Sequence, residues 1–229
     1  MKAMILAAGL GKRMRPLTDH TPKPLLAVGG KPLLQYHLEA LARSGVREVI
    51  INTAYLAEKI EQFAGDGRRF GLAIHYSREP EPLETGGAIY RALPLLGEAP
   101  FLLVNGDVWT DFPLQTLTEP PLPTAALGRL LLVPNPTFHP RGDFSLSATR
   151  VGLATDVERF TFAGISLLRP ALVAQYPERR AVFPLLEALR PAIAAGRLEG
   201  RVHHGRWSDV GTPERLTQLE QHLQQTTES

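Results

Sequence analysis

Strands and helices alternate along the first half of the chain, and this alternation restricts the possible folds more than any other feature. Residues 2–7, which are apolar after Lys2, predict a strand buried on both faces, which is typical of a parallel sheet covered by helices. An amphipathic helix is predicted over residues 32–44, opened by Pro32. Strands at 47–53, 72–77 and 101–105 and helices at 55–64 and 86–96 continue the pattern. It predicts an α/β fold with a Rossmann-like, doubly wound sheet that is mixed but mainly parallel.

The pattern becomes less regular after Asp107. Residues 113–123 are rich in proline and predict a surface turn with one short helix. Further strands are predicted at 125–134, 144–150, 160–168 and 198–208, and further helices at 182–195 and 213–225. The last six residues, 224–229, are expected to be frayed. The length of 229 residues favours one larger unit, so we predict a single domain over residues 1–229.

A glycine-containing loop follows the first strand, at the edge where open α/β sheets bind ligands. Gly9 and Gly11 allow backbone N–H groups to approach a phosphate closely, while Lys12, Arg13 and Lys23 supply positive charge. The loop does not match the dinucleotide fingerprint, because Met14 occupies the position of its third glycine. It also lacks the Gly-Lys-Ser/Thr ending of a Walker A loop. We therefore predict a phosphate loop of another kind.

Lys23 stands out within this region because proline flanks it on both sides. Pro22 and Pro24 restrict the backbone around it, as expected for a side chain that must be held in place. A solvated loop charge is the alternative interpretation. The two prolines favour a functional cation.

Two aspartates lie in turns that follow predicted strands. Asp107 ends the Asn-Gly-Asp turn after the strand at 101–105, and Asp209 precedes the last helix. Asp107, at the carboxyl end of an interior strand, points toward the expected ligand crevice, where it could hold magnesium beside phosphates. An ordinary turn would also explain Asp107. A simple helix start explains Thr212 and Pro213 but not Asp209.

The composition excludes several classes of function. The chain has no cysteine, which removes disulfides, thiolate zinc sites and a cysteine nucleophile. The net charge of +2 comes from 25 basic and 23 acidic residues that are spread along the chain, so we expect no nucleic-acid partner. No apolar stretch approaches the roughly 20 residues that span a bilayer. We therefore predict a cytoplasmic protein without membrane contact; the oligomeric state is not specified, and a monomer is compatible with the sequence.

Taken in order, these motifs resemble those of the sugar nucleotidyltransferases, also called nucleotide-diphosphosugar pyrophosphorylases. The similarity runs from residue 2 to about residue 220. The first block, which begins at Leu6, is the most specific to this family. The other motifs are weak evidence singly, but they occur in the family's order and together support the resemblance. The matching residues are Leu6–Gly9, Gly11, Arg13–Met14, Pro16–Thr18, Lys23–Pro24, Glu84–Gly87, Asn105–Asp107, Phe162–Ile165 and Trp207–Pro213.

The resemblance implies a nucleotide-binding half at residues 1–112 and a sugar-binding half at 113–229. It implies that Arg13 and Lys23 act on the phosphates and that Asp107 and Asp209 hold Mg²⁺. The implied nucleotide-binding residues are Ala7, Ala8, Gly9, Gly11, Lys12, Arg13, Lys23, Glu79 and Gly86, with Glu79 near the base-reading position and Gly86 in the loop beside the base. Asn105, Gly142 and Glu158 are implied on the sugar side. Relatives often carry Glu-Lys-Pro where this chain has Glu158-Arg159-Phe160, so Arg159 would be the cation of that tripeptide.

The resemblance also implies the substrates, a nucleoside triphosphate and a sugar 1-phosphate. Within the family, the chain is most similar to small uridylyltransferases of cell-wall recycling, which favours UTP and N-acetylmuramic acid α-1-phosphate. His139, Arg141 and Arg159 are candidates for holding the lactyl carboxylate of that sugar. Guanylyl transfer to mannose 1-phosphate and thymidylyl or uridylyl transfer to glucose 1-phosphate stay open. A non-catalytic nucleotide or sugar-phosphate sensor and a glycosyltransferase are alternatives from other classes.

Overall fold

The computed structural model describes the backbone of residues 1–227 and the side chains of residues 1–225. The strands are β1 (Lys2–Leu6), β2 (Ala27–Val28), β3 (Lys31–Pro32), β4 (Glu48–Thr53), β5 (Ala73–Arg78), β6 (Phe101–Asn105), β7 (Val108–Thr110), β8 (Gly128–Val133), β9 (Phe144–Ser147), β10 (Arg150–Gly152), β11 (Arg159–Leu168), β12 (Leu198–Val202) and β13 (Trp207–Asp209). The helices are α1 (Leu33–Arg43), α2 (Ala57–Ala64), α3 (Glu84–Leu96), α4 (Gln115–Thr118), α5 (Ala171–Ala174), α6 (Leu185–Ala194) and α7 (Pro213–Thr227).

Nine strands form one mixed sheet in the order β5-β4-β1-β6-β11-β8-β12-β10-β9. The strands from the first half of the chain, β5, β4, β1 and β6, are parallel, as the alternation of strands and helices predicts. Among the described strands of the second half, only β8 and β12 pair in parallel, while β11 runs antiparallel to β6, β8 and β9. The mixed α/β class is confirmed, and its antiparallel share is larger than the sequence analysis anticipates.

Helices pack on both faces of the sheet, because its central strands are apolar on both faces. On β1, Ala3 and Ile5 face a core that includes Leu38 of α1, whereas Met4 faces a second core that includes Ile89 of α3. All three β1 side chains are fully buried. This alternation produces the predicted doubly wound arrangement.

The strand predicted over 198–208 is two strands in the structure. β12 ends at Val202, and β13 leaves the main sheet to pair with β7. The break lies where the Asp111 carboxylate accepts a hydrogen bond from the Arg206 backbone N–H at 2.9 Å and contacts His203 Nε2 at 2.6 Å. These contacts replace the strand pairing that the apolar pattern predicts.

Two further boundaries differ from the prediction. The strand predicted over 144–150 turns at Ala148, whose φ is +52°, into the hairpin of β9 and β10. The last helix continues to Thr227, two residues beyond the predicted end at residue 225. The helix is anchored by Leu219, which is buried in a small core with Met14 and Val210. Glu228 and Ser229 lie outside the described residues.

The sheet continues across residue 112, the predicted boundary between the two halves. β6 from the first half pairs along its length with β11 from the second. The backbone N–H of Gly86 also donates to the carbonyl oxygen of Phe183 at 2.9 Å. Within residues 1–227, no helix combines the length and the apolar character needed to cross a bilayer.

Candidate active site

A cavity of about 320 Å³ opens at the carboxyl ends of β1, β4 and β6. Parallel strands place the residues that follow them at one edge of the sheet, so distant parts of the sequence meet there. The lining residues are Leu6–Gly9, Lys23, Pro24, Asn52, Glu79, Pro82–Thr85 and Asn105–Asp107. The structure thus brings Ala7, Ala8, Gly9, Lys23, Glu79, Asn105 and Asp107 of the predicted set together.

The loop after β1 presents backbone to this cavity. A Cβ at Gly9 would meet nothing within 4 Å, so the glycine leaves open space above the peptide. Gly11 has a φ of +61°, and its carbonyl oxygen accepts a hydrogen bond from Thr18 Oγ1 at 2.8 Å. Lys12 and Arg13 lie in a short 3₁₀ turn with exposed side chains and do not line the cavity.

A buried network that the sequence analysis does not identify fixes the inner wall of the cavity. Asn52, at the end of β4, accepts a hydrogen bond from the Ala7 backbone N–H at 2.7 Å and donates to Glu79 Oε1 at 2.7 Å. Glu79 Oε2 accepts from the Leu83 backbone N–H at 3.1 Å. Burial raises the pKa of the Glu79 carboxyl, and these two donors partly offset the shift.

Lys23 and Asp107 meet at the mouth of the cavity. Lys23 Nζ lies 2.5 Å from Asp107 Oδ2, and 12% of the lysine side chain is exposed against 33% of the aspartate. The turn that carries Asp107 is tight, because a Cβ at Gly106 would lie 2.6 Å from the Leu6 carbonyl oxygen. The predicted cation and the predicted metal ligand are therefore neighbours.

His37 supports the same turn from behind. The imidazole is buried on α1, and its Nε2 has no hydrogen-bond partner among the described residues. Burial lowers the pKa of His37 to about 4, against the smaller opposing effect of the Asp107 charge. His37 is therefore neutral at physiological pH, and it contributes packing rather than charge.

A second cavity, of about 220 Å³, shares Asn105 and Asp107 with the first. Its other lining residues are Val108, Phe138, His139, Asp143, Thr161, Phe162, Gly164, Trp207 and Asp209. His139 Nε2 lies 3.0 Å from Asp143 Oδ1. The site therefore has two chambers that meet at the carboxyl end of β6.

Asp209 reaches the second chamber from β13. The strand pairs with β7, so the Val210 backbone N–H donates to the Asp107 carbonyl oxygen at 2.8 Å. Asp209 Oδ2 accepts a hydrogen bond from Arg215 Nη1 at 2.9 Å. Asp209 Oδ1 is buried and has no hydrogen-bond partner among the described residues. An unpaired buried carboxylate oxygen is costly and suits a cation ligand.

Several predicted residues lie outside both chambers. Gly86 packs against Phe183, while Glu84 and Thr85 before it line the first chamber. Gly142 has a φ of +59° and packs against Asn135, and Glu158 is exposed just before β11. Neither residue lines the second chamber.

The three candidates for holding a lactyl carboxylate are also separated. Only His139 lines the second chamber. Arg141 and Arg159 line a different surface pocket, and Arg159 Nη2 donates to the Asp143 carbonyl oxygen at 2.5 Å.

Comparisons with known proteins agree with this architecture. A family profile described as nucleotidyl transferase matches residues 2–140. The chain is 47% identical to an N-acetylmuramate alpha-1-phosphate uridylyltransferase of Neisseria meningitidis serogroup B, over 96% of this chain and 97% of that protein. It is 33% identical to a protein of the same name from Caulobacter vibrioides, over 93% of this chain and 92% of that one.

Among solved structures, a candidate glucose-1-phosphate thymidylyltransferase from Bacillus anthracis superposes with a TM-score of 0.88. The two chains are 20% identical, and the match covers 97% of this chain and 95% of the other. At this identity the likeness concerns the fold.

Proposed function

The chain belongs to the nucleotidyl transferase family, and from this premise we propose that it transfers the uridylyl group of UTP to N-acetylmuramic acid α-1-phosphate, releasing pyrophosphate. The observation that carries the proposal is the 47% identity to a uridylyltransferase of that specificity along almost the whole of both chains. Such a product would serve the recycling of cell-wall sugars. The cytoplasmic location remains a prediction from the sequence, and the oligomeric state stays open.

The two chambers suit the two substrates. The first, with its open glycine loop and the buried Glu79, would hold the nucleotide, and the second would hold the sugar. Lys23 and Asp107 stand where the chambers meet, so the phosphates of both substrates would lie beside them. The reaction requires a sugar-phosphate oxygen to attack the α-phosphorus while pyrophosphate leaves in line. Positioning and charge neutralisation supply most of the catalysis in such transfers.

The cations of the glycine loop would act on the triphosphate. Lys23 is held at the junction of the chambers, whereas the exposed Lys12 and Arg13 would meet the phosphates that extend over the loop. No side-chain nucleophile is needed, because the attacking group belongs to the sugar phosphate. The chain contributes charge and alignment.

Divalent metals are general in this family, and we infer that Asp107 and Asp209 hold Mg²⁺ here. The two residues lie on the paired segments around β7 and β13, and the unpartnered Asp209 Oδ1 offers an oxygen for a hard cation. Within residues 1–227, no three acidic or histidine side chains converge into a complete metal site. This fits Mg²⁺, which is usually held by one or two carboxylates together with substrate phosphates. Bound there, the ion would neutralise the charge of the reacting phosphates.

The residues at the site argue against the two alternatives from other classes. A sensor that has lost catalysis would not need Lys23, Asp107 and Asp209 together, and all three line the crevice. A glycosyltransferase would favour an Asp-x-Asp metal motif, whereas the proposed carboxylates come from separate segments. A pyrophosphate-release screen that crosses four nucleoside triphosphates with a panel of sugar 1-phosphates tests the proposal directly. Absence of release in every combination would contradict it.

We expect UTP to be the preferred nucleotide because of Glu79. An ionised carboxylate has about four lone-pair sites and no donor, and Asn52 and Leu83 use two of them. The remaining lone pairs can accept a hydrogen bond from the ring N–H of uracil, thymine or guanine. The corresponding ring nitrogen of cytosine or adenine carries no hydrogen and cannot donate one. The measurement is kcat/KM for each triphosphate, with dTTP or GTP as weaker substrates. A preference for CTP or ATP would refute the role of Glu79.

We expect N-acetylmuramic acid α-1-phosphate to react faster with UTP than N-acetylglucosamine 1-phosphate, which lacks only the lactyl group. His139 is the one candidate cation of the three that faces the second chamber, and it is partly exposed there beside Asp143. The measurement is kcat/KM for both sugars at saturating UTP. Higher values for glucose 1-phosphate or mannose 1-phosphate would overturn the sugar assignment and favour one of the alternatives within the family.

A further inference from the structure

Arg215 lies between the carboxylate of Asp209 and the aromatic ring of Phe138. Its Nη1 donates to Asp209 Oδ2 at 2.9 Å, and its Cζ lies 4.1 Å from the centroid of the Phe138 ring. The guanidinium is largely buried, with 15% of the side chain exposed. Arg215 does not line either chamber, so it acts on the site through its neighbours.

The local sequence is built around this guanidinium. A Cβ at Gly211 would lie 2.5 Å from Arg215 Nη2 and 2.9 Å from Asp209 Oδ1, so the glycine leaves the space in which the two side chains pair. Thr212 Oγ1 accepts from the Arg215 backbone N–H at 3.4 Å at the start of α7. The first turn of the helix therefore carries Arg215 back over the end of β13. This accounts for Gly211, which a simple helix start leaves unexplained.

The pairing leaves the two oxygens of Asp209 in different environments. Oδ2 is held by the guanidinium, whereas Oδ1 is buried without a partner. Tilting the carboxylate away from Arg215 would break the charge-assisted hydrogen bond, so Arg215 fixes the direction in which the second oxygen points. Groups that hydrogen-bond to a metal ligand in this way commonly set its orientation.

Phe138 extends this support to the loop at residues 134–142. About half of Phe138 is exposed, and it lines the second chamber while its ring contacts Arg215. A guanidinium over an aromatic face is attracted by the ring. The sugar-side loop and the carboxylate of Asp209 are thus joined through a single arginine.

We propose that Arg215 is a positioning residue for the metal site, which holds Asp209 with Oδ1 directed to the ion, and that Phe138 keeps Arg215 in place. The inference rests on the proposed assignment of Asp209 as a metal ligand. Arg215 would contribute to metal affinity without touching either substrate.

The test measures Mn²⁺ binding to the folded protein by loss of the free-ion EPR signal. The variants are Arg215→Met, Arg215→Lys and Phe138→Ala, with Asp209→Asn as the reference for loss of the ligand. Arg69→Met is the matched control, because Arg69 also lies over an aromatic ring, 4.4 Å from the centroid of Phe63, but lines neither chamber. Thermal unfolding of each variant verifies that it is folded.

We expect Arg215→Met to weaken Mn²⁺ binding about 10- to 100-fold, the usual effect of removing a group that orients a metal ligand. Arg215→Lys should keep part of the affinity, since lysine retains the charge but not the planar donor geometry. Phe138→Ala should show a smaller loss, and Arg69→Met none. High magnesium should restore most of the kcat of Arg215→Met.

The outcomes separate this inference from the proposed function. If Asp209→Asn abolishes Mn²⁺ binding while Arg215→Met binds as tightly as the wild type, the positioning role is wrong and the metal site stands. If the wild type and Asp209→Asn bind Mn²⁺ equally, the metal assignment itself fails and the inference fails with it. Should Arg215→Met not fold, the Lys and Phe138→Ala variants decide the question.

Discussion

Asp107→Asn and Asp209→Asn should each lower kcat by about a thousandfold while leaving the fold intact. The charge stabilisation that a metal gives to a transition state is worth several kcal/mol, and each 1.4 kcal/mol corresponds to a factor of about ten in rate. Asparagine preserves the size of the side chain but removes the negative charge that both ligand positions need. The measurement is pyrophosphate release at saturating substrates, together with the dependence of the rate on Mg²⁺.

Asp66→Asn is the control for this pair of substitutions. Asp66 is exposed, pairs with Arg68 at 3.1 Å and lies outside both chambers. The activity of the Asp66→Asn protein should therefore match that of the wild type. Thermal unfolding of all three variants distinguishes a lost ligand from a lost fold. Full activity in a folded Asp107→Asn or Asp209→Asn protein would remove that residue from the metal site.

Lys23→Ala should lower kcat by roughly 10²–10³ and change KM much less, as expected when a fixed charge that stabilises the transition state is removed. The lysine side chain is almost buried at the junction of the two chambers, so it is already in position before the substrates bind. Steady-state rates with each substrate varied in turn give the two parameters separately. A change in KM alone would mean that Lys23 only helps the triphosphate to bind.

Lys31→Ala provides a close comparison for Lys23→Ala. Lys31 pairs with Glu39 at 2.6 Å, much as Lys23 pairs with Asp107 at 2.5 Å, but it lies outside both chambers. Loss of a lysine–carboxylate pair at this place should leave kcat unchanged. A similar fall in both variants would point to a general loss of stability.

Much of the fold could be predicted because, in the first half of the chain, the local pattern of apolar and polar residues indicates each strand and helix. The run that follows Lys2 is apolar on both faces, and the structure buries Ala3, Met4, Ile5 and Ala7 between two helical layers. The break between β12 and β13 could not be predicted in the same way. It depends on Asp111, which is 92 residues from His203 in sequence and contacts it only in the folded chain.

The candidate site shows the same division. Lys23, Asp107 and Asp209 lie in turns whose residue types mark them, and the structure brings all three to the crevice. No motif in the sequence identifies Asn52, Phe138 or Arg215 as site residues. Asn52 offers one usable signal, a polar residue at the end of the buried strand Glu48–Thr53. Motif position predicts Glu158 on the sugar side, but the structure leaves it exposed outside the second chamber.

The pairing of β6 with β11 limits how this fold can be recombined. A chimaera joined at residue 112 would have to match a whole strand interface, together with the contact between Gly86 and Phe183. Exchanging the loop at 134–142 replaces no strand, since its contacts with other segments are individual side-chain contacts such as Asn135 to Thr161 and Phe138 to Arg215. Divergence in substrate range within this architecture is therefore expected to proceed by loop replacement, with the sheet inherited as one piece.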